Sequence, residues 1–215
     1  MSHRHSKQSR LPTVRRLPMY LRFLRKLAAE GHTIVSSNTL AEELNFEPIV
    51  VRKDLAITGV AGKPRIGFSI PVVIEALERF VTLHDHSRAF LAGAGNLGSA
   101  LMGYKGFGEY GLNIVAAFDT DPIKIGTEIY GRKIYPLNRM VNLGKRMNVY
   151  VGILCVPEEA AQIVTDIMVR AGIRGIWNFT PTRLKVPDTV VVVREDLTAG
   201  LAVLSVLLER MSNTK

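Results

Sequence analysis

The sequence predicts an α/β protein in two parts, a helical N-terminal domain followed by a parallel-sheet domain. Three observations carry this. Up to about residue 80, apolar side chains recur at the spacing of one helix face. From about residue 88, short apolar β-branched runs alternate with amphipathic ones. Directly after the first of those runs stands Gly93-Ala94-Gly95-Asn96-Leu97-Gly98. The first period suits helices packed on one face, and the second suits buried strands covered on both faces by crossover helices.

Composition narrows the class. The 215 residues are 47% apolar and 22% charged, an ordinary globular balance with room for two small domains. Cys155 is the single cysteine, which excludes an internal disulfide and a multi-cysteine metal site. No metal is expected, and a reducing, cytoplasmic setting is. The N-terminus carries His3, Arg4, His5, Lys7 and Arg10 and no apolar core of a signal peptide. No apolar stretch approaches the roughly 18 residues of a membrane span, so no membrane partner is expected. The net charge of +9 favours a polyanionic partner. Eight basic side chains and no acidic one fall in residues 1–26, among them Arg15, Arg16, Arg22, Arg25 and Lys26. Such a block reads as an interaction tail or a face toward phosphate, with a solvated arm at residues 1–10 as the alternative.

In the N-terminal part, Leu17, Tyr20, Leu21, Leu24 and Leu27 mark one face of a first helix, which Gly31 stops. Ser36 and Ser37 open a second helix, with Leu40, Ala41 and Leu44 inward, and Asn45 and Phe46 make a turn. Pro48 starts a third helix that runs to about Ile57, its missing N–H costing nothing in a first turn. Residues 59–68 hold glycines at both ends and a Lys63-Pro64-Arg65 tip, the pattern of a tight β-ribbon. Helix, helix–turn–helix and basic ribbon follow one another as in a winged helix. Arg52 and Lys53 on the third helix are suited to guanine edges or phosphates in a major groove, and Ser36, Ser37, Lys63 and Arg65 complete the expected DNA contacts. A last helix, at 71–83, carries Val72, Val73, Ala76, Leu77 and Phe80, and residues 84–87 form the linker.

Strands are expected at 88–92, 112–118, 148–156, 175–179 and 189–193. The glycine triplet sits between the first strand and a helix. Gly93 permits a tight turn, Gly95 lets backbone approach a pyrophosphate, and Gly98 brings helix and strand close. The next strand ends in Asp119, 21 residues beyond Gly98, where a carboxylate meets ribose hydroxyls. Residues Gly93, Ala94, Gly95, Asn96, Leu97, Gly98 and Asp119 are therefore expected to hold a dinucleotide. A carboxylate there repels a 2′-phosphate, which favours NAD(H) over NADP(H), although Arg132 and Lys133 are near in sequence. Later strand ends at Cys155, Val156 and Pro157, and at Asn178, Phe179, Thr180 and Pro181, are expected to line the nicotinamide side.

An enzyme would also need an acid or base and a place for its substrate. The five histidines all precede the glycine triplet, and about twenty residues remain after the last strand. Tyr104 and Lys105 are adjacent, not arranged as a base pair, and Cys155 has no partner base and reads as a buried strand cysteine. Cofactor binding without catalytic equipment points to sensing.

With a winged helix in front, the glycine triplet, Phe118-Asp119-Thr120-Asp121-Pro122 with Lys124-Ile125-Gly126, and Asn178-Phe179-Thr180-Pro181 follow in order. On these the chain resembles the redox-sensing transcriptional repressor (Rex) family over residues 12–208, and Val51-Arg52-Lys53-Asp54-Leu55 matches that family's recognition-helix signature. The resemblance adds Asp121 and Lys124 to the nucleotide site. It implies a homodimer that binds double-stranded operator DNA, represses fermentative or respiratory genes at low NADH/NAD, and leaves the operator on binding NADH. The wing departs from the pattern: the family carries Lys-Arg-Gly-Val-Gly-Tyr or similar where this chain has Lys63-Pro64-Arg65-Ile66-Gly67-Phe68. The third helix also ends Ala56-Ile57-Thr58 in place of Ser-Tyr-Phe. A terminal helix from about Glu195 sets Leu197, Leu201, Leu204 and Leu208 in one seam. The resemblance implies its exchange between subunits, against packing on its own sheet. It also places Arg22, Tyr104 and Asp196 near the domain interface as a switch.

The expected architecture is thus an N-terminal winged helix (1–83), a Rossmann-type parallel sheet (84–194) and a C-terminal swapped helix (195–215). The expected function is an NADH-sensing DNA-binding repressor. A small NAD-dependent oxidoreductase with a basic accessory domain is the alternative. A CoA-binding Rossmann domain is a third reading, against which Asp119 counts by crowding a ribose phosphate.

Overall fold

The computed structural model describes residues 11–83 and 87–212, and the chain divides into two compact units with the boundary between Thr82 and Leu83. The basic arm at residues 1–10 and most of the expected linker, 84–86, lie outside the described residues.

The first unit is built on α1 (Leu11–Ala29), which buries Leu17, Tyr20, Leu21 and Leu24 at helical spacing. It ends two residues before Gly31, whose φ of +87° suits a residue without a Cβ. Next come β1 (Ile34–Val35), α2 (Ser37–Leu44) and α3 (Pro48–Ala56). The Ser36 hydroxyl accepts the Thr39 amide and so caps α2, while Asn45 ends it in the left-handed conformation. β2 (Phe68–Ser69) pairs antiparallel with β1, and α4 (Ile70–Val81) closes the unit. Ile70, Val73, Ala76 and Leu77 face inward; Val72 and Phe80, expected on the same face, are exposed. The expected β-ribbon is much reduced. A single bridge joins Lys63 to Gly67 around a turn through Pro64, Arg65 and Ile66, and the only strand pairing in this unit's described residues is β1 with β2. Pro64 has no N–H to donate to a longer ladder, and Arg65 turns left-handed with φ +61°.

The second unit holds a seven-stranded sheet in the order β5-β6-β4-β3-β7-β8-β9. Its strands are β3 (Arg88–Ala92), β4 (Asn113–Asp119), β5 (Glu128–Ile129), β6 (Arg132–Pro136), β7 (Val151–Leu154), β8 (Gly175–Asn178) and β9 (Val191–Arg194). Six of them run parallel, in the order of a dinucleotide-binding sheet, and β5 adds an antiparallel edge. Phe90 and Ala92 face one core with Phe118 and Leu154, while Ala89 and Leu91 face the other with Ala117 and Ile153. Burial on both faces is why these strands read as unbroken apolar runs. Helices α6 (Met140–Met147) and α7 (Glu158–Arg170) cover the first face through Met140, Ala161, Val164 and Met168. α5 (Asn96–Gly103) covers part of the other through Met102.

Several expected boundaries move. The third expected strand shortens from 148–156 to Val151–Leu154, because Asn148 caps α6 in the left-handed conformation. The hairpin of β5 and β6 was not expected at all. The terminal helix, α8 (Ala199–Ser212), starts later than Glu195: the Asp196 carboxylate accepts the Thr198 amide and hydroxyl, a turn that precedes the helix. α8 has no buried residue. Among the described residues, no helix is long and apolar enough to cross a membrane.

Candidate nucleotide and nucleic-acid sites

β3 and β7 are paired neighbours at the centre of the sheet, from which the chain winds outward to β4 on one side and to β8 on the other. Beyond the carboxyl ends of β3, β4 and β7 lies a cleft of about 420 Å³. Gly93, Gly95, Asp119, Lys124, Cys155, Val156 and Pro157 line it, so seven of the expected nucleotide residues converge. Gly93 has φ +93°, and a Cβ there would collide with the Cys155 carbonyl. A Cβ on Gly98 would collide with the Gly93 carbonyl, so the helix can cross the turn this closely only with glycine there. Gly95 faces open space instead, and the first turn of α5 has no side-chain cap. Its amides and the helix dipole are left for an anion.

The Asp119 carboxylate is held by backbone. Its Oδ2 accepts the Ala94 amide at 2.9 Å, and its Oδ1 accepts those of Thr120 and Asp121 at 2.7 and 2.9 Å. Lys124 Nζ stands 3.5 Å from Asp119 and 3.7 Å from Asp121. Burial alone would raise the Asp119 carboxyl, but the three amides and Lys124 together hold it below the usual carboxylate range. The charged acid keeps acceptor capacity for a ribose hydroxyl once the longer Lys124 contact yields. Arg132, the residue that left NADP(H) open, donates to the carbonyls of Ile114, Met102 and Tyr130. Lys133 lies over the Tyr135 ring. Neither is arranged as a phosphate clamp, and the donor set fits the ribose of NAD(H).

Other expected residues fall elsewhere. Ala94 contributes its amide to Asp119, while Asn96, Leu97 and Asp121 are not among the cleft's lining residues. Nor are residues 178–181. The buried Asn178 side chain instead accepts the amide and hydroxyl of Thr180 and donates to the Thr182 carbonyl, closing a turn on itself. Phe179 joins a row of rings, Tyr104–Phe107–Trp177–Phe179, with successive centroids 4.8, 5.3 and 4.9 Å apart. Cys155 is not the buried strand cysteine expected: it lies just past β7, half-buried in the cleft wall, and burial pushes its thiol up to about 12. Tyr104 caps the end of α5 and does not lie within it, and is exposed. Among the described residues no group of three or more His, Cys, Asp or Glu side chains could hold a metal ion.

In the first unit a hollow of about 550 Å³ is lined by Ser36, Ser37, Arg52, Lys63 and Arg65 among others, with no acidic residue. Lys53 is exposed on α3 but outside the hollow. Arg52 Nη1 donates to Ser37 Oγ at 3.0 Å, so the first residue of α2 steadies the guanidinium on α3. Sequence reasoning missed what lies behind that helix. Asp54, directly after the exposed Arg52 and Lys53, is buried against Arg16 and Tyr20 of α1.

A helix–turn–helix unit with a basic hollow, joined to a parallel sheet with a nucleotide cleft, defines a DNA-binding protein with a dinucleotide-binding domain. Family models agree on both parts: a putative DNA-binding protein N-terminus matches residues 11–56, and a CoA binding domain matches 84–182. The redox-sensing transcriptional repressor Rex of Treponema denticola is 46% identical over 204 residues, 95% of each chain. That of Bacteroides thetaiotaomicron is 42% identical over 193 residues, 90% of this chain and 88% of its own. The crystal structure of RSP with β-NAD+ and operator DNA matches with a TM-score of 0.85 at 32% identity, covering 95% of this chain and 94% of that one. RSP in complex with β-NADH matches with a TM-score of 0.84 at 31% identity, covering 95% and 98%. The chain belongs to the redox-sensing transcriptional repressor (Rex) family.

Proposed function

We propose that this chain is a cytoplasmic, homodimeric transcriptional repressor, without catalytic turnover, that binds operator DNA through its first unit and NADH or NAD through its second. NADH binding makes it leave the operator. The observation that carries this is the pairing, in one chain, of an acid-free basic hollow with a cleft whose ribose acid is preset by backbone amides. The bound nucleotide supplies the redox state of its nicotinamide as the signal. Gly95 and the α5 N-terminus would hold the pyrophosphate, Asp119 the adenine ribose, and Cys155, Val156 and Pro157 the nicotinamide side. Asp121 and Lys124 set the charge beside the ribose.

The oxidoreductase reading finds no support in the cleft. Its ionisable lining is Asp119, whose carboxylate is engaged by three backbone amides, Lys124, and Cys155, whose thiol burial pushes up to about 12. For CoA, Asp119 would crowd a ribose phosphate.

Two further assignments belong to the proposal. α8 exposes Leu201, Leu204 and Leu208, and a second copy of the chain is the surface that would cover them. Asp196 would exchange between Arg22 and Tyr104 as NADH binds; Asp196 now pairs with Arg194 at 3.4 Å and with Thr198. A gel shift on the DNA upstream of genes in its own genome tests the main reading. A complex lost with NADH and kept with NAD is expected. A complex indifferent to both would overturn sensing, and no complex with any duplex would overturn repression.

A further inference from the structure

Arg52 and Lys53 are exposed on α3, while Val51, Asp54 and Leu55 face inward, so the buried face of the reading helix includes a carboxylate. Asp54 is 1% exposed. Arg16 grips it with both arms, Nε to Oδ2 at 2.6 Å and Nη2 to Oδ1 at 2.7 Å, and the Tyr20 hydroxyl donates to Oδ2 at 2.8 Å. Arg16 and Tyr20 stand four apart on α1 and so project from one face. The same two side chains reach the turn between α2 and α3: the Arg16 guanidinium lies 5.7 Å from the centre of the Phe46 ring, and Tyr20 meets that ring edge-on. Arg16 also approaches Thr13 Oγ1 at 3.4 Å.

A charge in this place needs a reason. Apolar residues of similar volume would hold α3 to α1 at least as firmly, because a buried ion pair returns little net stability. What the pair adds is direction. Contacts through Val51 and Leu55 tolerate rotation and sliding of the helix, since hydrophobic attraction is non-directional. A two-armed guanidinium–carboxylate contact fixes both rotation and height. Each residue turns an α-helix by about 100°, so a small roll of α3 would swing Arg52 away from a base edge.

We infer that Asp54, held by Arg16 and Tyr20, is a positioning residue that sets the roll of the recognition helix and thereby the sequence discrimination of the protein. This rests on the DNA-binding reading above. Discrimination is expected to depend on the clamp's geometry, whereas non-specific attraction to phosphate depends only on the exposed cations.

The test uses full-length protein and a duplex that the wild-type chain itself enriches from a random pool, with an unselected duplex as reference. Asp54→Asn removes the charge at nearly constant shape. It is expected to weaken binding to the selected duplex by about tenfold or more, the scale of one lost base contact, with the reference changed by less than about twofold. A double variant, Arg16→Met with Asp54→Leu, replaces the clamp by apolar packing and keeps the comparison valid should the single variant fold poorly. It is expected to melt at or above the wild-type temperature and still to discriminate poorly, with NADH affinity unchanged. Discrimination that returned with melting temperature in the double variant would overturn the proposal, leaving the clamp a stability element. So would undiminished discrimination in Asp54→Asn. A wild-type chain that enriched no duplex would instead overturn the DNA-binding reading, and this inference with it.

Discussion

The Asp119 carboxylate accepts the Ala94 amide at 2.9 Å, which ties the end of β4 to the glycine turn after β3. The acid proposed for the ribose and the loop proposed for the pyrophosphate are therefore held together by one contact. Asp119→Ala removes a charge-assisted acceptor and is expected to cost roughly 1.5–3 kcal/mol of nucleotide affinity, about ten- to a hundredfold. Because NADH and NAD share the adenosine half, both affinities should fall by the same factor; calorimetric titration of each checks this.

The same acid gives a pH dependence of stability. Its folded carboxyl lies below the ordinary value of 3.8, so its contribution is present above the unfolded value and is lost as pH falls through the folded one. Asp54 behaves alike: burial raises it, but the hydrogen bonds from Arg16 and Tyr20 together outweigh burial. Thermal melting is expected to be flat from neutral pH to about 5 in these terms and to fall more acidly. The acid-side loss should shrink in Asp54→Asn.

The three glycines Gly93, Gly95 and Gly98 are expected to separate folding from binding. Gly95→Ala meets no atom within 4 Å and should fold normally, yet its methyl would stand where the pyrophosphate approaches, weakening nucleotide binding. Gly93→Ala and Gly98→Ala put a Cβ against backbone and should lower the melting temperature as well. Melting with and without NADH distinguishes the two patterns.

On DNA, Arg52→Ala is expected to cost about 1–3 kcal/mol on the selected site and to relax one base position. Removal of Lys63 or Arg65 should instead weaken all duplexes alike and flatten the salt dependence by about one unit of slope each. Binding isotherms across salt concentration separate a reading cation from a phosphate contact.

Leu204→Asp places a charge in the middle of the exposed apolar side of α8 and is expected to lower the melting temperature and abolish its dependence on protein concentration. Sedimentation of wild type and variant provides the check. A variant that sedimented as the wild type does would separate α8 from self-association.

Much of the fold was legible because the sheet is buried on two faces and the helices on one, which leaves different periods in the chain. Asp119 was found because strand and helix lengths fix its distance from Gly98. The pairs β1–β2 and β5–β6 were not, since two-residue strands such as Ile34–Val35 and Glu128–Ile129 carry no period to detect. The extent of the wing was not legible, because glycines at both ends suit a ribbon of several pairs and a one-bridge turn alike. Asn178 to Pro181 was placed on the cleft side from its strand end alone; the turn that the Asn178 amide closes with Thr180 and Thr182 left no mark in the sequence pattern. The Arg16–Asp54 clamp left no trace at all, because residues 38 apart in sequence meet only through tertiary packing.

Among the described residues, none lines both the basic hollow and the nucleotide cleft. On the reading proposed above, effector and operator thus engage separate sets of side chains. Whatever factor NADH takes from the affinity for DNA, DNA must take from the affinity for NADH, because the two paths to the ternary complex have the same total free energy. A chromosome crowded with operators would thus make this chain a less sensitive reader of NADH than the same chain free in solution.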